Sequence, residues 1–108
     1  MENTIMHYET TTGEKIGLTI TFALLYKVKG ECPEAYKRYN DVMMNGMKDI
    51  FDATAILYAA YLCANIENTE RLPYTQFLEV LGDDMTGVMR TAAALMGRKK
   101  KAASATHS

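Results

Sequence analysis

The chain has 108 residues, 48% of them apolar or aromatic, with a formal net charge of −1, two cysteines and no tryptophan. That length predicts one domain able to bury a core without disulfides, and Cys32 and Cys63 are expected as reduced thiols in a cytoplasm. The charge is unevenly placed: residues 1–97 carry eight basic against thirteen acidic side chains, a net of −5, while Arg98, Lys99, Lys100 and Lys101 form a basic end. An acidic body is the wrong sign for holding phosphates, so nucleic acid is not the expected partner.

Ile5, His7 and Glu9 alternate with Thr4, Met6, Tyr8 and Thr10. After the turn-forming Thr11, Thr12, Gly13 and Glu14, Ile16, Leu18 and Ile20 fall on one side, so residues 4–20 are predicted to form a β-hairpin. A hairpin alone is marginal in water and is expected to lie on the helices or pair with a second copy. Phe22, Leu24, Leu25 and Val28 then fit a helical stripe closed by Gly30, with an extended strand through Leu25 as the competing reading. Pro33 and Glu34 suit the first turn of a second helix, in which Tyr36, Tyr39, Met43 and Met47 recur at helical spacing and which Gly46 ends or bends.

The segment ATAILYAAYLCA, residues 53–64, has Thr54 as its only polar member. A helix apolar all round is a buried helix, and its alanines allow close approach of neighbours on several sides. Extended to residues 50–66 it includes Asp52 and Asn65 and stays short of the roughly 20 apolar residues of a membrane span. Pro73 opens a short helix with Phe77, Leu78 and Leu81, closed by Gly82. Asp83 or Asp84 caps a last helix whose stripe is Met85, Val88, Met89, Ala92, Leu95 and Met96. The predicted fold is mainly α: a small bundle around a buried central helix, residues 1–97, with an N-terminal hairpin and a basic, disordered tail from residue 98 to 108.

Chemistry is hard to assemble from these residues. His7 and His107 have no partners at metal-ligand spacing, and Ser104 and Ser108 are the only serines. With no nucleophile, base and orienting group in view, the chain is read as non-enzymatic, with no cofactor and no metal. Two features remain for binding. Met43, Met44, Met47, Met85, Met89 and Met96 are candidate partner-binding residues, because methionine repacks against varied apolar surfaces, although most of them stand at core spacing. Met44 stands apart from the Tyr36, Tyr39 and Met43 stripe. The basic run either complements a helix C-terminus or touches nucleic acid or an acidic membrane surface.

The order of these elements, with LTITFALLYKVKG, PEAYKRYN, ILYAAYLCAN, LPYTQFLEVLGDD and a lysine-rich end, resembles the small tail assembly chaperones of long-tailed siphophages of Gram-positive hosts. The likeness covers about residues 8–101 and is most specific at 55–65 and 74–81. It implies a protein of the host cell cytoplasm, absent from the mature virion, that coats the tape measure protein, keeps it soluble and delivers it for tail tube assembly. It also implies self-association and, in many relatives, a longer product made by ribosomal frameshifting that recruits the tail tube protein. Lys99, Lys100 and Lys101 require an adenine-rich message of the kind a slippery site needs, so the residues after them are expected to be what the ribosome adds when it does not slip. The alternative function is a small helical nucleic-acid-binding regulator using the C-terminal helix and basic tail. A weaker one is a peripheral membrane protein anchored by residues 85–101.

Overall fold

A computed structural model describes residues 5–105, with side chains described from 5 to 97. Thr4, His107, Ser108 and the side chains of residues 98–101 lie outside the described residues. The order is β1 (Met6–Glu9), β2 (Lys15–Leu18), α1 (Phe22–Glu31), α2 (Pro33–Asn45), α3 (Ile50–Ala64), α4 (Tyr74–Leu81) and α5 (Met85–Ala105). This is a small, mainly α fold with an antiparallel N-terminal hairpin.

The hub is α3. Ten of its fifteen residues are buried, and Ala53, Ile56, Leu57, Ala59 and Ala60 are wholly so. It touches all four other helices and β2. Small side chains at 53, 55, 59 and 60 leave no ridge on those flanks, which lets several neighbours pack at once. Its start is fixed by Asp49, whose carboxylate accepts from Asp52 N–H at 3.0 Å, while Asp52 accepts from Lys48 N–H at 2.7 Å. The first bond satisfies a donor that a helix start leaves unpaired, and the second ties the first turn to the backbone that precedes the cap.

In the hairpin, Met6 faces Leu18 and Tyr8 faces Ile16 across the ladder. Tyr8, Thr10 and Leu18 are buried, so one face lies on the helices as hairpin stability requires. Thr19 N–H donates to Ala60 O at 3.3 Å, tying the hairpin to α3. At the turn, Thr11 N–H donates to Val80 O at 3.1 Å.

Three local readings are corrected. Phe22 is 79% exposed and does not belong to the buried stripe of α1, which is carried by Leu25 and Val28. The helix begins with Thr21 accepting from Leu24 N–H, and that cap orients Phe22 outward. Gly30 does not close α1: the helix runs on to Glu31 and is capped at Cys32, whose N–H donates to Val28 O. The helix α5 does not stop at Gly97. Its backbone continues through residues 98–101 to Ala105, where a disordered tail was expected from Arg98. Lysine, arginine and alanine are strong helix formers, and cations favour a helix C-terminus, so the basic run extends the helix.

Around α3 the tyrosines join packing to hydrogen bonding. Tyr58 donates to Leu72 O at 2.8 Å and Tyr61 accepts from Leu72 N–H at 2.9 Å, anchoring the segment that leads to α4. Arg71 closes the same segment onto α1 through Glu31 at 3.1 Å.

Burial raises the Tyr39 phenol to about 12, with Cys63 and Tyr36 adding to the effect. The unfolded phenol titrates near 10, so the folded state holds the neutral form longer. The resulting stability is complete below about pH 10 and is lost as pH rises toward about 12. At about 1.4 kcal/mol per unit, the loss reaches about 3 kcal/mol. Tyr8 and Tyr58 shift the same way, chiefly by burial. Urea midpoints at about pH 9 and about pH 11 should therefore fall sharply in the native protein and less in Tyr39→Phe; equal falls would contradict the assignment.

Candidate functional site

The six methionines do not form one surface. Met43, Met47, Met89 and Met96 are half-buried against the core and fill space between helices. Met44 and Met85 are exposed, at 75% and 61%. Met44 lies off the stripe, as its spacing indicates. Met85 is exposed because it is the first residue of α5, ahead of the point where Val88 turns inward.

Met85 stands beside a residue the sequence reading passed over. Phe51 is 54% exposed in the first turn of α3, and both side chains line a groove of about 290 Å³. The starts of α3 and α5 and the end of α4 form its walls. Leu81 and Val88 are buried beneath it, and Ile50 and Leu78 are half-buried at its sides. The only sequence signal for Phe51 was a bulky aromatic placed between Asp49 and Asp52, where a helix start has not yet been enclosed.

The helix ends are held rigidly here. Asp84 caps α5, its carboxylate accepting from Gly87 N–H at 3.0 Å while Val88 N–H donates to Asp84 O at 2.9 Å. Asp84 is thus the cap left open between Asp83 and Asp84 by the sequence. Thr54 donates to Phe51 O at 2.8 Å and lies 2.7 Å from the Tyr74 hydroxyl. With the threonine proton committed to Phe51, the tyrosine is the donor of that second bond. These bonds tie the first turn of α3 to α4 and fix the Phe51 backbone.

Two carboxylates, Asp83 and Asp84, line the groove, while Asp49 and Asp52 flank Ile50 and Phe51 in the chain without lining it. None of them forms an ion pair among the described residues, whose two ion pairs are Lys27 with Glu67 and Arg71 with Glu31.

Two larger hollows, each about 490 Å³, lie elsewhere. One is walled by Tyr58 and Tyr74 beside Cys32 and Arg38, with the Arg38 guanidinium 5.0 Å over the Tyr74 ring and both phenols already hydrogen-bonded. The other, between Thr19, Leu24 and Ile66, has Ile5 at its edge. Of these three hollows among the described residues, the groove at the start of α3 combines two exposed bulky apolar side chains with acidic lining residues, and such patches mark interaction sites.

His7 is exposed on β1 opposite Gly17. No three His, Cys, Asp or Glu side chains among the described residues could hold a metal ion, and no helix among them is long and apolar enough to cross a membrane. Comparison with known proteins finds no match to this chain among family models, curated proteins or solved structures.

Proposed function

We propose that this protein is a tail assembly chaperone of a long-tailed phage, a non-catalytic binder that covers the apolar stripes of the tape measure protein in the host cytoplasm until the tail tube encloses them. The observation that carries the reading is the exposure of Met85 and Phe51 over an apolar groove on a bundle whose own core is closed. A client helix with an unpaired apolar stripe needs such a surface, and methionine adapts to stripes of varied sequence. The order of elements supports the same reading through its resemblance to these chaperones. The tail tube protein enters as the partner of a longer, frameshifted product, and several copies act on each client.

Co-expression tests the proposal. A tape measure protein of such a phage should move from the pellet to the soluble fraction when this chain is present, and should co-purify with it. A client that pellets equally with and without the chain contradicts the reading. So does a reading frame that closes directly after the lysine codons, for the frameshifted product alone.

One observation favours a second reading, a nucleic-acid-binding regulator: α5 continues as helix through the basic residues 98–101. It predicts binding to DNA or RNA that weakens steeply with salt. The net charge of −5 on residues 1–97 opposes it.

A further inference from the structure

The groove at the start of α3 is apolar within and acidic around. Its volume of about 290 Å³ sits at the lower end of ligand pockets, about 300 Å³. That is too small to engulf a helix and suited to one or two inserted side chains of a helix lying across it. The carboxylates of Asp49 and Asp84 are engaged as caps, yet capping leaves the charge in place. The two helix N-termini contribute about half a positive charge each, which offsets about one of the two negative charges that line the groove. With no ion pair at Asp83 or Asp84 among the described residues, that lining stays anionic.

We propose that this groove binds an amphipathic client helix that inserts bulky apolar side chains between Phe51 and Met85 and carries lysine or arginine beside them, and that it discriminates against helices flanked by glutamate or aspartate. The inference rests on the chaperone reading and adds the recognition rule: apolar anchors supply the contact and basic neighbours supply the selection. Rim charges of this kind act mainly on encounter and on the exclusion of wrong partners. A second copy is a poorer occupant, because its body carries the same negative sign.

Two fluorescent helical peptides of about 18 residues, about 27 Å long, serve as probes; they share leucine anchors and differ in lysine or glutamate flanks. The full chain should bind the lysine peptide about tenfold more tightly at about 0.05 M salt. The preference should fade at about 1 M salt, where the screening length is about 3 Å. Phe51→Ser with Met85→Ser should weaken the lysine peptide about tenfold or more, since buried apolar anchors dominate such contacts. Asp49→Asn, Asp83→Asn and Asp84→Asn together keep good capping residues and should erase the preference while the leucine contact persists. Unchanged circular dichroism and melting show that the variants fold. Equal binding of the two peptides, a preference that survives the triple variant, or unchanged binding by the Phe51 and Met85 variant overturns the proposal. The two levels separate cleanly. A serine variant that still solubilises the tape measure protein removes the groove and leaves the chaperone reading, whereas peptide discrimination by a chain that fails to solubilise that protein does the reverse.

Discussion

Phe77→Ala should cost about 3–5 kcal/mol, about a fifth or more of the stability of a domain this size. Phe77 is wholly buried, with its ring 5.1 Å from Tyr58 and 5.0 Å from Tyr61. Truncation removes both aromatic contacts and leaves a cavity that the hydrogen-bonded tyrosines cannot collapse into, since Tyr58 and Tyr61 are held to Leu72. The helix α4 has eight residues, too few to persist unaided, and Phe77 and Leu81 are its buried anchors. Thermal unfolding should therefore drop by about 15–25 °C, and amide exchange in α4 should rise first. A drop of only a few degrees would show that α4 is not fastened by this side chain.

Gly82→Ala is the second large effect. Gly82 ends α4 at φ 76° and ψ −158°, a region essentially reserved for glycine, and strain there costs about 1–3 kcal/mol. An added methyl would also sit 2.5 Å from Thr11 Cγ2, so the exposed Thr11 side chain must turn aside, at about 0.5–1.5 kcal/mol more. The two costs can be separated. Thr11 is exposed and its Cβ lies 3.9 Å from the same point, so Thr11→Ala should be nearly neutral alone and should relieve the clash without touching the strain. Denaturant melts should show Gly82→Ala losing about 1.5–4.5 kcal/mol in the native background and about 1–3 in Thr11→Ala. Equal losses in the two backgrounds would remove the hairpin contact from the account.

The buried frame was legible because its signals are strong and local. Residues 53–64 have no polar face, Pro33 occupies the first position of α2, and Gly46 and Gly82 end α2 and α4 with positive φ. What failed was decided by energies the pattern does not contain. Gly30 looks like a stop, yet nothing approaches its missing side chain, and α1 runs past it to meet α2 at Cys32. Phe22 shares the spacing of Leu25 but sits beside the Thr21 cap, before the helix meets α3. The basic residues after Gly97 were read by their lack of anything to bury, while helix propensity continued α5 through them.

The groove was half legible. Met44 could be set apart by its spacing, whereas Met85 was assigned to the core stripe it begins. Phe51 was hidden by its neighbours, because a long apolar run invites reading every residue near it as interior. Only the arrangement of three helix ends shows that the first turns of α3 and α5 stand open together over Leu81 and Val88.

Hydrogen exchange on the complex with the tape measure protein tests the account most directly. The first amides of a helix lack acceptors within it, and those of Ile50, Phe51 and Thr86 have none among the described residues, so they exchange readily unless a partner covers them. Slower exchange at Ile50, Phe51 and Thr86 upon binding, with the outer face of α1 around Tyr26 unchanged, is the result expected. Protection confined to α1 or the hairpin, with those two starts exchanging as in the free protein, would contradict it.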